Sequence, residues 1–321
     1  MKTEMHRILN MPMFFKVIQS TEHNVKYIFK KPCIILMSNI SLHWLKYINT
    51  KTQKHMPVFI NENLVQNQKN QTLPFGILSH NHINYNTDTL VEHNLNSFTL
   101  NTQSEFNFKL IIPQENVMQY FTQWQRYRKF WWSSITTTPS LFSVSDIKFG
   151  ENTADVEVLA QFTPGNTIVE TIKIYPNTSI PNSCCLSCTL YLEKALFILL
   201  LDGLSGQNKT NYLKLHKNMA PYKISFAINC KDTEHKQTLQ ELSELLNFRL
   251  QKKKISTWIP NFSLSTESQI QENLQMGVVY TAILNDNTLK NGIFRLMNSS
   301  TMLQEQIHVA DFDSYASLLC K

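Results

Sequence analysis

Ala220-Pro221-Tyr222-Lys223-Ile224-Ser225-Phe226-Ala227-Ile228 is an apolar, partly β-branched run opened by a proline, the pattern of a buried strand. The downstream segments fall into place around that strand. Leu239, Leu242, Leu245, Leu246, Phe248 and Leu250 recur mostly three or four residues apart, as on one face of a helix. Ile255-Ser256-Thr257-Trp258-Ile259, closed by Pro260, is a short strand. Ser265 to Met276 is a second, weaker helix carrying Ile270 and Leu274. Gly277 ends it before a strand from Val278 to Leu284, a turn at Asn285-Asp286-Asn287 and a strand from Gly292 to Asn298. The order β-α-β-α-β-β implies a mainly parallel sheet with helices on its faces. Residues 218–321 are therefore expected to form a compact α/β domain.

Within this stretch Ala220-Pro221-Tyr222-Lys223-Ile224, Ile255-Ser256-Thr257-Trp258 and Thr288-Leu289-Lys290-Asn291-Gly292 resemble the C-terminal domain of the mitochondrial DNA polymerase gamma accessory subunit family. That domain is related to the anticodon-binding domain of class II aminoacyl-tRNA synthetases. The resemblance extends upstream through Leu213-Lys214-Leu215-His216 and through Trp124 to Asp146, including Arg128-Lys129-Phe130-Trp131-Trp132 and Pro139-Ser140-Leu141-Phe142-Ser143. It reaches back to Leu73-Pro74-Phe75-Gly76. It implies an α+β and α/β chain: a degenerate class II synthetase-like antiparallel-sheet domain over 32–217, then an anticodon-binding-like domain with a mixed five-stranded sheet over 218–321.

The chain's +6 net charge suggests nucleic acid until its distribution is considered. Met1 to Lys31 holds six Lys or Arg against two Glu, whereas Asn218 to Lys321 holds ten basic against ten acidic residues. The excess is concentrated at the start, so pI says little about DNA. Arg7, Lys16 and Lys26 alternate there with Ile8, Leu9, Phe14, Phe15 and Val17, a basic, acid-poor pattern that suits a mitochondrial transit peptide over 1–31. The competing reading is a basic surface helix or tail; the resemblance favours the transit peptide, with cleavage expected near residues 15–35. No apolar run approaches the roughly eighteen residues of a membrane span, and no membrane partner is expected.

The middle of the chain has its own signals. Cys33 to Met37 is apolar and Ser41 to Ile48 helix-like, while Asn61 to Thr72 reads as a loop or weak helix. Phe106, Phe108, Leu110 and Ile112 alternate as on a strand, and Gln114 to Ser134 is a long helix rich in aromatic residues. Val156 to Phe162 and Thr167 to Ile174 are two strands joined by Thr163-Pro164-Gly165-Asn166. Six cysteines without framework spacing point to free thiols. Cys185 and Cys188 form a C-x-x-C, but no second pair of ligands lies nearby, so buried small hydrophobes are the preferred reading. His80 and His82 would share one face of a strand as a metal pair, against the plainer reading of a polar loop.

Set beside class II synthetases, Cys184 to Leu196 occupies the place of their third motif, a strand-to-helix element ending in glycine, an acid and an ATP-contacting arginine. Here Leu190 stands near the expected glycine, and Lys194 follows Glu193 where arginine belongs. A lysine point charge does not replace a planar guanidinium at a bidentate phosphate site. The second motif's arginine is missing as well, since no arginine occurs between Arg7 and Arg126. No phosphate-binding loop is present either. The expectation is a chain that is not an enzyme, with no catalytic residue, cofactor or metal.

Basic clusters are the remaining candidates for nucleic-acid contact: Arg126, Arg128 and Lys129; Lys209, Lys214 and Lys217; and Lys252, Lys253 and Lys254. The plainer readings are that Trp124, Trp131 and Trp132 are core with cations snorkelling outward, and that Lys252–Lys254 complement a helix C-terminus.

By the resemblance, the function is that of a non-catalytic accessory subunit, a processivity factor of the mitochondrial replicative DNA polymerase. It would bind the catalytic subunit through Pro221 to Lys321 and strengthen its hold on primer-template DNA, in the mitochondrial matrix at the nucleoid. Ser41 to Leu73 is too short for the helical insertion through which vertebrate members dimerise. A one-to-one heterodimer with the polymerase is expected, and no homodimer. The alternatives are a working class II aminoacyl-tRNA synthetase, or a tRNA- or RNA-binding module derived from one.

Overall fold

The computed structural model describes residues 2–52, 56–60, 72–81, 83–96, 100, 103–162, 165–205 and 212–320. The chain divides into two compact units. One comprises Met1–Asn10, Lys16–Phe29 and Ile40–Leu199; the other comprises Met11–Phe15, Lys30–Asn39 and Leu200–Lys321. The longest segment of the second unit begins at Leu200.

The first unit is built on antiparallel pairing. Strands β1 (Phe15–Ser20), β2 (Asn24–Phe29) and β5 (Leu90–Asn94) make a three-stranded sheet. A larger sheet runs β3 (Val58–Ile60), β4 (Phe75–Asn81), β6 (Glu105–Pro113), β11 (Ser183–Tyr191), β10 (Gly165–Pro176), β9 (Ala154–Phe162) and β7 (Phe142–Val144), with β8 (Lys148–Phe149) also on β9. Every neighbouring pair in it is antiparallel except β3 and β4. The alternation seen in the sequence is the cause: Phe106, Phe108, Leu110 and Ile112 are all buried, as are Val156, Val158 and Ala160.

Upstream of the large sheet, α1 spans Lys2–Leu9 and one continuous helix, α2 (Lys31–Thr52), absorbs both the apolar Cys33–Met37 and the Ser41–Ile48 segments. The aromatic segment forms helix α3 (Val117–Ile135), preceded by a 3-10 turn at Gln114–Asn116. Phe121, Trp124, Arg128, Trp131, Trp132 and Ile135 recur at helical spacing on its buried side, in line with the core reading of the tryptophans. Asn61–Gln71 and Thr163-Pro164 lie outside the described residues. The first thirty-one residues are woven into the fold: Met5, Ile8, Phe14, Tyr27 and Phe29 are fully buried, and β2 pairs with β5 along five residues.

The second unit carries a mixed five-stranded sheet ordered β13 (Thr257–Trp258), β12 (Ile224–Asn229), β14 (Tyr280–Asn285), β15 (Ile293–Asn298), β16 (Gln304–His308). β13, β12 and β14 are parallel; β15 and β16 turn back antiparallel. Helix α4 (Leu192–Ser205) precedes these strands, and α5 (Thr233–Lys252), α6 (Thr266–Gln275), α7 (Asp286–Asn291) and α8 (Phe312–Leu319) interleave with them. Ile224, Phe226, Ile228, Leu239, Leu246, Leu250 and Phe312 form the main core.

Three features depart from the sequence reading. The Asn285-Asp286-Asn287 turn is instead the start of α7, whose capping box is made by Asn285 and Thr288, and Gly292 closes it at φ +72° in the left-handed conformation that glycine adopts without strain. Leu245 and Phe248 lie off the buried stripe of α5 and are each 53% exposed, because Leu239, Leu246 and Leu250 fill the contact. Finally, β16, the fifth strand that the resemblance implies, and α8 are not located by the sequence reading. β16 is a polar edge strand with Ile307 as its buried side chain, which gives no alternating apolar signal.

Helix α6 shows why a weak apolar pattern still docks. β13 is only two residues long, so the far half of β12 has open hydrogen-bonding groups on that side. Side chains of α6 take them: Asn273 Nδ2 donates to the Phe226 carbonyl (3.0 Å), Gln269 Oε1 accepts from the Ile228 amide (2.8 Å), and Thr266 Oγ1 donates to the Ile228 carbonyl (2.8 Å). Gln269 and Asn273 are fully buried, one helical turn apart. They substitute for a strand partner.

Candidate functional site

The strand-to-helix element singled out in the sequence is β11 running into α4. Glu193 is fully buried, and both its carboxylate oxygens accept the Ser104 amide at 2.9 Å. Burial, the Glu193 charge and a hydrogen bond to that carboxylate together push the Tyr85 hydroxyl's pKa well above its ordinary value. The glutamate therefore ties α4 to the strand entry at Ser104. Lys194, next in sequence, is half-buried; burial pulls its pKa down against the opposing pull of Glu157.

Strand parity arranges what lies around Lys194. Across the large sheet Glu157, Thr171, Thr189, Asn107 and Ser79 stand in one register row, and Asp155, Lys173, Ser187 and Lys109 in the next. The same parity places these polar rows on one face, while Ile172, Cys188 and Leu190 point to the other. On the polar face is a cavity of about 210 Å³ lined by, among others, Glu105, Thr171, Lys173, Ser187, Thr189 and Lys194. Among the described residues no arginine lines it, and the cations there are Lys173 and Lys194 among carboxylates and hydroxyls, a set without the bidentate fork that grips a triphosphate.

The basic candidates separate clearly. Arg128 is a correction: it is fully buried, its Nε and Nη2 donate to Glu170 Oε1 and Oε2 at 2.6 and 3.0 Å, and its guanidinium stacks 4.5 Å from the Trp131 ring. A guanidinium so engaged does not reach a phosphate. Its i, i+4 neighbours Trp124 and Trp132 explain why the helical stripe runs through it. Arg126 and Lys129, on the other sides of α3, are exposed. Lys214 is half-buried, Lys217 exposed, and Lys209 lies outside the described residues. Lys252, Lys253 and Lys254 are exposed at the C-terminal end of α5, Lys252 sitting 4.4 Å over the Phe248 ring.

Cys185 and Cys188 are buried, three residues apart on one strand, and so point to opposite faces. Cys185 packs with Phe75, Ile77 and Ile111, while Cys188 lies near Glu170 and Arg128. They do not converge on an ion. His80 is exposed and stacks on Phe106, and His82 lies outside the described residues.

On the second unit, large apolar side chains face solvent. Besides Leu245 and Phe248 on α5, they are Met302 and Leu303 in the β15–β16 turn and Leu318 on α8. Sequence periodicity assigned Leu245 and Phe248 to the core, and nothing in the one-dimensional pattern marks Leu303 or Leu318 as surface. No helix among the described residues is long and apolar enough to cross a membrane.

No family model matches the chain. Curated relatives do. It is 26% identical over 243 residues to the mitochondrial DNA polymerase subunit gamma-2 of Drosophila melanogaster, a match covering 68% of this chain and 66% of that protein. It is 24% identical over 224 residues to the subunit of the same name from Xenopus laevis, covering 60% of this chain and 48% of the relative. With the Mus musculus subunit it shares 25% identity over 245 residues, 65% of this chain and 51% of the relative. The match thus spans half to two thirds of the length of these relatives. The resemblance carried by Ala220–Ile224, Trp124–Asp146 and Leu73–Gly76 agrees with the comparison: this chain is similar to the gamma-2 subunits of the mitochondrial DNA polymerase.

Proposed function

We propose that this chain is a non-catalytic accessory subunit of the mitochondrial replicative DNA polymerase. It binds the catalytic subunit one-to-one and lengthens its residence on primer-template DNA. The observation that carries the reading is the similarity to gamma-2 subunits from fly, frog and mouse over 60–68% of the chain. The geometry supports it in two ways. The polar sheet face around Lys194 lacks an arginine fork for ATP, and the second unit presents Leu245, Phe248, Leu303 and Leu318 to solvent, apolar anchors of the kind a protein partner buries. The antiparallel sheet with its β11–α4 element is read as a synthetase-like domain without its chemistry, and the mixed five-stranded sheet as an anticodon-binding-like domain turned to protein contact. About 1.4 kcal/mol of coupling between subunit binding and DNA binding gives a tenfold change in affinity.

The chain acts in the mitochondrial matrix, at the nucleoid, as a monomer in its heterodimer. Its import signal is proposed to end before Phe14, since cleavage further on would remove β1 and β2. DNA contact by Arg126, Lys129, Lys214, Lys217 and Lys252–Lys254 stays part of the proposal, without Arg128.

Primer extension by the polymerase catalytic subunit from the same source tests the role. Added to it at rising salt, this chain should lengthen the products made per binding event. Unchanged product length, with binding of tRNA in a gel shift, would replace the proposal with an RNA-binding role.

A further inference from the structure

One side-chain cluster of the second unit stands apart from both the basic clusters and the exposed apolar residues. Cys230 follows the last residue of β12, Asp232 and His235 stand at the start of α5, and Asp286 follows the last residue of β14. Cys230 Sγ lies 3.0 Å and His235 Nδ1 3.2 Å from Asp286 Oδ1, and the three potential ligand atoms are all within 4.8 Å of one another. Asp232 Oδ2 is 3.7 Å from His235 Nδ1, while its Oδ1 caps α5 through the Glu234 amide.

We infer that Cys230, Asp232, His235 and Asp286 form a binding site for a divalent transition-metal ion of the zinc class. Three considerations support it. First, the donor set is one thiol, one imidazole and carboxylate oxygens, the mixture that zinc takes and that magnesium and calcium do not. Second, the spacings fit. Bonds of about 2.3 Å to sulfur and 2.0–2.1 Å to nitrogen or oxygen at tetrahedral angles place ligand atoms roughly 3.3–3.6 Å apart, so small side-chain rotations suffice.

Third, the place in the fold is one where ligands collect. The chain leaves β12 for β13 on one side and later returns to β14 on the other, so the crevice beyond the C-terminal ends of β12 and β14 is a topological switch point. Cys230 donates its S–H to Asp286 Oδ1. On metal binding the sulfur–metal bond forms as this proton leaves to solvent. Lys290 lies near Asp286, and Lys231 and Lys236 flank the cluster in sequence. Their repulsion tempers the affinity and makes a labile or regulatory site the expectation, not a structural one.

The test uses the reduced, chelator-treated full chain titrated with Co²⁺ and then Zn²⁺. One equivalent of Co²⁺ should produce a near-ultraviolet thiolate charge-transfer band that Zn²⁺ displaces. Cys230→Ser should abolish the band, and His235→Ala or Asp286→Asn should weaken Zn²⁺ binding at least tenfold; Cys184→Ser should change neither. The side chains of His235 and Asp286 are each about half open to solvent, so those two variants keep the test valid if Cys230→Ser folds poorly. Absence of the band from the wild-type chain, its persistence in Cys230→Ser, or undiminished Zn²⁺ binding in both His235→Ala and Asp286→Asn would overturn the site.

Discussion

Arg128 on α3 and Glu170 on β10 form a bidentate ion pair with both side chains wholly shielded from solvent, Nε–Oε1 2.6 Å and Nη2–Oε2 3.0 Å. Trp132 Nε1 adds a third hydrogen bond to the same carboxylate at 2.9 Å. Fastening a helix to a sheet with buried charge is stabilising only while both partners are present. Arg128→Met should therefore lower stability by about 3–5 kcal/mol, because it strands the glutamate. Arg128→Met combined with Glu170→Met should recover most of that loss. Urea unfolding of the wild type and the two variants checks this; an Arg128→Met protein as stable as the wild type would refute it.

The surrogate strand contacts of α6 predict a polar effect in an apolar core. Asn273→Leu is close in volume, yet it leaves the Phe226 carbonyl and the Ser225 hydroxyl, which donates to Asn273 Oδ1 at 2.7 Å, without partners. A cost of about 1–3 kcal/mol is expected for each group left unsatisfied. Amide exchange at Ile228, held by Gln269, should quicken along with it. A thermal melt unchanged by the substitution would contradict this account.

Lys223 gives a pH dependence with a definite sign. Burial holds its pKa down to about 8, with the nearby Lys217 charge adding to the effect, while its ammonium donates to the Lys217 and Ala220 carbonyls. The unfolded chain's lysine titrates near 10.4, so between about pH 8 and 10.4 the unfolded state holds more protons. Stability should rise with pH across that window. Relative to Lys223→Met, the wild type should gain stability between about pH 7.5 and 9.5. Parallel curves for the two proteins would rule the effect out.

Removal of residues 1–31 should prevent native folding. It deletes the whole of β1 and β2, and with them Phe14, Tyr27 and Phe29, each fully buried. Truncating a single buried aromatic costs about 3–5 kcal/mol, and three together approach the roughly 5–15 kcal/mol stability of a typical protein. A soluble, cooperatively melting product from the truncated gene would show that these strands are dispensable. The mature amino terminus from mitochondria is expected before Phe14.

The exposed pair on α5 separates stability from association. Leu245→Asp with Phe248→Asp should shift the isolated chain's stability by less than about 1 kcal/mol, both sites being half open to water. The same double variant should weaken binding to the polymerase catalytic subunit at least tenfold, since buried apolar anchors carry most of an interface's energy. Calorimetric titration reads the association directly, and undiminished affinity would move the interface elsewhere on the second unit.

Local pattern determined much of this protein. The alternation of Phe106, Phe108, Leu110 and Ile112, the helical stripe of Trp124, Trp131 and Trp132, and the strand at Ile224–Ile228 each state their structure within a few residues, because burial on one face imposes period two or 3.6. The motif at Glu193-Lys194 is equally legible, since a missing arginine is a fact of composition. Tertiary structure alone decided the rest. Arg128 looks like a phosphate ligand until a glutamate forty-two residues away is brought against it. Leu245 and Phe248 belong to the same run of apolar spacings as Leu246, yet Leu239, Leu246 and Leu250 are the ones the fold buries. Cys230, His235 and Asp286 are separated by up to fifty-six positions and meet because β12 and β14 are neighbours in the sheet. A chain records which side chains prefer to be inside; which partner each one finds there depends on contacts between distant segments, and those exist only once the sheets have formed.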